Sequence, residues 1–186
     1  GFYAAAAVFA RQQLFLARAT GEKSFLHTAH YQLALIYGKI GEFEKSFGEI
    51  EECFRIAEST AEPALKKTLT AKTQLVSGHL RREAGDCRRA VDEYDRSIEA
   101  YESAGFSINL YEARKGRLLC YIRMQNDEAV KSEMPALLEI FDRYRRTIGE
   151  EYKRNLFFDN EQSVYDIAAG YAYARLGDAE QAFDYA

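Results

Sequence analysis

Tryptophan is missing from this 186-residue sequence, and proline and methionine occur twice each. With Pro63 and Pro135 as the only prolines and 12 glycines, the chain is poor in the residues that break helices. Strands and long irregular loops have little to claim. No run of about 18 apolar residues exists, and the Ala4 to Ala10 stretch is far too short to span a bilayer, so no membrane partner is expected. Positive charge is not in excess either: 25 basic against 29 acidic residues leave a net charge of -4. Such a balance repels a phosphate backbone, and nucleic acid is not expected as a direct partner. The three cysteines, Cys53, Cys87 and Cys120, are an odd number and widely spaced. That spacing fits neither a disulfide framework nor a paired zinc ligand set, so they read as reduced core thiols in a cytoplasmic protein. Also lacking are a nucleophile motif, a glycine-rich phosphate loop and a metalloprotease signature. No catalytic residue, cofactor or metal is expected, and the chain is not read as an enzyme. A start without methionine and an end inside a helix-like stretch lead us to expect a piece of a longer protein.

What is abundant is Ala, Glu, Leu and Arg, side chains that lose little rotamer freedom in a helix. A hydrophobic share of 47% suffices for one domain, or for a row of repeats sharing one core. Repeats are visible. Ile36 to Phe43, Leu80 to Cys87 and Ala172 to Ala179 each carry a glycine at the same place, Gly41, Gly85 and Gly177, and Arg18 to Lys23 is a partial copy around Gly21. Tyr121 to Glu128 is a degenerate copy in which Asn126 stands for the glycine and is expected to adopt the left-handed conformation. From Gly41 the intervals are 44, 41 and 51 residues, longer than a unit of roughly 34, so the helices must be extended.

The pattern predicts helices over Phe2 to Ala19, Phe25 to Ile40, Phe43 to Ser59, Ala64 to Ala84, Cys87 to Ala104 and Ile108 to Met124. Further helices follow over Glu128 to Thr147, Glu150 to Phe158, Glu161 to Leu176 and from Ala179 onwards. Pro63 suits a helix start, whereas Pro135 should kink or break the helix around it. Asn160 is a candidate cap for the helix starting at Glu161.

Isolated polar groups invite blander readings. His27 and His30 lie three apart on one helix face, a spacing that can offer two imidazoles to a metal, but no third ligand is near in sequence. His79 stands alone. Glu49, Glu51 and Glu52 read as a solvated acidic face. Arg81, Arg82, Arg88 and Arg89 flank one turn, and Arg143, Arg145 and Arg146 lie near a helix end where the dipole favours positive charge. Both basic groups also suit bidentate pairing with an acidic partner.

Residue by residue the units resemble tetratricopeptide repeats. Leu33, Ala34, Tyr37, Gly41, Phe43 and Ile50 follow that motif's order of apolar, small, aromatic, turn-glycine, aromatic and apolar positions. Gly78, Gly85, Ala90 and Tyr94 match it again, as do Gly170, Tyr173, Gly177 and Ala182. The resemblance implies an all-α, right-handed superhelical solenoid of antiparallel helix pairs with long helices, a single repeat domain over 1–186. It also implies a concave groove lined by the first helix of each pair. Carried over, that face holds Tyr31, Leu35 and Lys39, then Leu75, His79 and Arg82, then Arg123, and finally Tyr171 and Arg175. This mixed apolar and basic set suits an acidic peptide or protein ligand.

A narrower resemblance lies in Arg154 to Asp166, followed by Gly177-Asp178 and Ala182 to Ala186. Its phenylalanine pair, Gln162 and Val164-Tyr165-Asp166 are similar to the last repeats before the caspase-like domain of bacterial tetratricopeptide CHAT proteins. The function implied is a protein-interaction scaffold or regulatory repeat region that controls a downstream effector. The alternative is the helical sensor region of a bacterial transcription regulator, whose long-helix repeats would look much the same.

Overall fold

The computed structural model describes residues 2–103, 108–147 and 163–185, and the helix expected over Glu150 to Phe158 and the Asn160 cap lie outside them. The described residues form helices joined by tight turns. In order these are α1 (Phe2–Thr20), α2 (Lys23–Lys39), α3 (Phe43–Glu58), α4 (Pro63–Glu83), α5 (Cys87–Glu102), α6 (Ile108–Arg123) and α7 (Asp127–Thr147). Then come α8 (Ser163–Tyr171), a π-helical turn (Ala172–Leu176) and α9 (Ala179–Tyr185). The chain divides into two compact units, Gly1–Met124 and Gln125–Ala186.

In the first unit each helix packs on its neighbours in sequence, and α4 also touches α2 and α6. Odd and even helices therefore form two layers, with α2, α4 and α6 side by side. The α1–α2 core holds Ala10, Leu14, Ala17, Ala29, Leu33 and Tyr37, and the next core holds Ala34, Ile50, Val76 and Leu80. These residues recur three and four apart, so each helix buries one stripe. Two serine hydroxyls tie the layers together: Ser46 Oγ donates to the Ala34 carbonyl at 2.7 Å and Ser97 Oγ to the Ala71 carbonyl at 3.1 Å. Both lie fully inside, where an unpaired hydroxyl would cost stability.

Gly78 of α4 and Gly116 of α6 let the layers close, and Gly38 of α2 lets α2 and α4 approach within one layer. A methyl group at Gly38 would lie 2.2 Å from Leu80 Cδ2, one at Gly78 2.7 Å from Tyr94 Cε1, and one at Gly116 2.4 Å from Tyr94 Cζ. The Tyr94 ring of α5 is thus held between the backbones of α4 and α6, and it is fully buried.

The turn glycines Gly21, Gly41, Gly85 and Gly177 all have positive φ, between 66° and 90°. The degenerate copy differs by one residue from the expectation. Gln125, not Asn126, takes the left-handed conformation, at φ 56°. Asn126 instead caps α7, its side-chain oxygen accepting from the Ala129 amide at 3.2 Å. Asp86 does the same for α5 with the Arg89 amide, so the cap follows the left-handed residue in both turns.

Pro63 opens α4 as expected. Pro135 does not divide its helix, because α7 runs as one element of 21 residues. Its position is solvent-exposed, as is that of Lys131, whose carbonyl loses its amide partner and is free to bind water. The last turn of the helix expected to end at Leu176 is wider than α, with the Asp178 amide reaching back to the Ala172 carbonyl at 3.0 Å.

Candidate functional site

Where α2, α4 and α6 lie side by side, the two ends of the array differ. At their C-terminal ends the helices are fastened together. Lys39 Nζ pairs with Glu83 Oε1 at 2.9 Å between α2 and α4, and Arg123 Nη1 donates to the Arg82 carbonyl at 3.2 Å between α6 and α4. Behind them His79 Nδ1 is hydrogen-bonded to the Tyr94 hydroxyl at 2.8 Å. Burial pushes the His79 imidazole down to about 4, and it pushes the Tyr94 phenol upward, so both are neutral near neutral pH.

At the N-terminal ends the same helices leave a depression of about 290 Å³. Ser24, His27, Thr28 and Tyr31 of α2 form one wall, and Leu65, Thr68, Leu69, Lys72 and Leu75 of α4 form another, with Asn109 of α6 closing the far side. The hydroxyls of Thr28 and Thr68 donate to carbonyls of their own helices, Ser24 at 2.8 Å and Ala64 at 2.9 Å. Lys72 is solvent-exposed and has no ion-pair partner among the described residues. The floor is apolar and the rim carries one unpaired positive charge.

His27 is part of the packing beneath this depression rather than a free base. Thr73 Oγ1 donates its only proton to the Leu69 carbonyl at 2.8 Å, so at 2.7 Å from His27 Nε2 it must accept. That fixes the proton of His27 on Nε2. Burial, helped by the nearby Lys72 charge, lowers the imidazole to about 4. His27 also stacks on Tyr31, with ring centroids 6.4 Å apart.

A metal site at His27 and His30 is not formed. His27 turns to α4, whereas His30 Nδ1 meets Glu49 Oε2 of α3 at 2.6 Å. Three residues apart on a helix, the two rings point about 60° away from each other, enough to serve different neighbours. No group of three or more His, Cys, Asp or Glu among the described residues is arranged to hold a metal ion. The cysteines are free and buried, and burial pushes the Cys53 and Cys120 thiols up to about 12, far from a reactive thiolate.

Of the nine groove residues expected from sequence, Tyr31 and Leu75 line the depression. Leu35 is half-buried against the core of Ala34, Ile50, Val76 and Leu80. Lys39, His79 and Arg123 lie in the fastened end with the side-chain contacts already given, and Arg82 contributes its backbone carbonyl there. Tyr171 and Arg175 belong to the second unit, where Tyr171 Oη and, at 3.3 Å, Arg175 Nε share the Asp127 carboxylate. The residues the sequence reading missed are Ser24, Thr28, Leu65, Thr68, Leu69 and Lys72, which lie on α2 and α4 within about three turns N-terminal of Tyr31 and Leu75, and Asn109 at the start of α6. Continuation of the α2 and α4 helices from Tyr31 and Leu75 was the signal for the first six, and nothing comparable pointed to Asn109.

The other groups named from sequence have ordinary roles. Glu52 pairs with Arg55 on the surface, Arg81 lies 3.7 Å from the buried Glu93 carboxylate and 5.1 Å over the Phe47 ring, and Arg143 pairs with Glu139 at 2.6 Å. The side chain of Arg145 lies outside the described residues, as does most of the Arg154 to Asp166 stretch. No described helix is long and apolar enough to cross a membrane.

Neither a protein-family model nor a curated protein matches this sequence. Among solved structures, the apo form of the quorum sensor NprR from B. thuringiensis superposes on 96% of the chain with a TM-score of 0.62 at 16% identity. The chain spans 57% of the length of that protein. At that level of identity the likeness establishes the architecture: an all-helical solenoid of tetratricopeptide-like helix pairs.

Proposed function

We propose that this chain is a binding and regulatory repeat region, not an enzyme, and that it holds an acidic peptide or protein segment in the groove between α2, α4 and α6. The observation that carries this reading is the depression at the N-terminal ends of those helices, with its leucine floor and the unpaired Lys72 at its rim. An unpaired ammonium beside apolar surface favours a ligand that brings a carboxylate and buries a side chain. The setting is cytoplasmic, in keeping with the free buried cysteines.

Two arrangements of the whole protein are compatible with such a groove. The likeness to a quorum sensor supports a sensor region of a bacterial regulator, in which ligand binding reports to an attached output domain. The similarity of Arg154 to Asp166 to the repeats before CHAT domains supports control of a caspase-like protease instead. The sequence of the complete gene separates them, since one requires a DNA-binding helix-turn-helix and the other a protease domain.

The groove is tested by panning a random dodecapeptide library against the purified chain. The peptides recovered should be enriched in Asp and Glu, and Lys72→Glu should weaken their binding at least tenfold at low salt. Equal affinity for the variant would move the binding surface away from this groove.

A further inference from the structure

A second depression lies on the other side of the exposed face of α2. It has about 290 Å³ and is walled by Gln13, Leu16 and Ala17 of α1 and by Phe25, Ala29 and Gln32 of α2. Thr28 borders both depressions, so the two are neighbours across a single ridge of α2 rather than separate features of the surface. Their chemistry differs. The first presents Lys72 and a row of hydroxyl and amide groups, whereas the second is walled by Leu16 and Phe25, which are 63% and 60% exposed.

Two large apolar side chains left in water beside a depression gain from being covered, by about 25 cal/mol for each Å² of apolar surface removed from solvent. Neither belongs to the buried core of α1 and α2, which is built from Ala10, Leu14, Ala17, Ala29, Leu33 and Tyr37, with Ala17 and Ala29 also reaching the depression. The same ridge thus separates a place for an apolar group from a place for a carboxylate.

Resting on the groove reading above, we propose that the ligand is a short extended peptide recognised at two points. A large apolar side chain, Leu or Phe, enters between Leu16 and Phe25, and an Asp or Glu carboxylate reaches Lys72 across the Thr28 ridge. Crossing one helix takes about 10 Å, the usual spacing of packed helix axes, which an extended chain covers in about three residues. The apolar anchor and the acid should therefore stand two to four positions apart in the peptide. Charge alone would accept any acidic segment, and apolar surface alone any greasy one. Two unlike subsites at a fixed separation select one pattern.

The dodecapeptide library decides this when panned against three forms of the chain: wild type, Lys72→Glu, and Leu16→Ala/Phe25→Ala. Because Leu16 and Phe25 are exposed, the double variant should keep the wild-type melting temperature, which circular dichroism checks directly. Wild type should enrich one Leu or Phe with one Asp or Glu two to four positions away. The double variant should retain the acidic preference and lose the apolar one, with about tenfold weaker binding of the wild-type consensus peptide. An acidic consensus without a fixed apolar neighbour, bound equally well by the double variant, overturns the two-point inference and leaves the groove reading standing. If binding is indifferent to both Lys72→Glu and Leu16→Ala/Phe25→Ala, the groove reading falls and the inference falls with it.

Discussion

Truncating Tyr94 to alanine empties the slot between Gly78 and Gly116 and leaves the half-buried His79 imidazole without its partner. The expected cost is about 3 to 5 kcal/mol, the usual range for a large aromatic removed from a core. Tyr94→Phe keeps the ring and removes only the hydroxyl, so it should cost about 1 to 3 kcal/mol, the penalty of an unsatisfied buried group. Urea denaturation of both variants checks the ordering, and a near-zero effect of Tyr94→Ala would contradict the clamp. Gln125 carries the opposite opportunity. At φ 56° its backbone is strained where four other turns use glycine, and Gln125→Gly should raise stability by about 1 kcal/mol. His27 and His79 make stability depend on pH. Their folded values sit at about 4, below the ordinary 6.5, so above 6.5 both states are neutral. Between 6.5 and 4 only the unfolded chain takes up the protons, and stability falls as pH drops through that window, by about 3 kcal/mol per histidine at most. The urea midpoint should fall between pH 7 and pH 5, and His27→Gln/His79→Gln should flatten that slope. These residue roles were partly legible in advance: Tyr94 matched an aromatic repeat position. The partners of His27 and His79 were not, since Thr73 and Tyr94 are supplied by other turns of the chain.

For the helices themselves, local signals sufficed to place nearly every boundary among the described residues within two positions. The reason is chemical: glycine after the first helix of a pair, a capping Asp or Asn next, and proline at the start of α4 each act within one turn. Two places failed because the decisive interaction was not local. Asn126 resembles a left-handed residue on its own, yet it is more useful as a cap, which moves the strain to Gln125. Pro135 reads as a breaker, yet at an exposed site water can take the place of the lost backbone partner. The groove stripe was legible for the same periodic reason, but not which half of it is open. That depends on Gly38, Gly78 and Gly116 meeting Leu80 and Tyr94, which pairs residues between 16 and 42 positions apart. Gly116→Ala tests the point. A methyl group 2.4 Å from Tyr94 Cζ must displace the ring, and we expect a loss of about 1 to 3 kcal/mol with α6 still helical by circular dichroism.

Across the first unit, charge and shape are distributed unevenly. At the fastened end Lys39 is paired with Glu83 and the Arg123 guanidinium donates to the neutral Arg82 carbonyl, while Lys72 on the rim of the open end has no ion-pair partner among the described residues. Lys72 stands at the depression itself and should contribute to steering an acidic peptide there, so the association rate should fall with added salt more steeply for wild type than for Lys72→Glu. Stopped-flow binding at two ionic strengths measures both slopes, and equal slopes would assign the steering to other charges. The wall of the depression on α4 is anchored to its neighbours: Lys66 Nζ pairs with Glu58 Oε1 at 2.8 Å, Lys67 Nζ donates to Ser103 Oγ at 2.5 Å, the Ala71 carbonyl accepts from Ser97 Oγ at 3.1 Å, and Leu69 is buried. A wall held in this way is preorganised, so a ligand that fits it loses little of its binding free energy to ordering the protein.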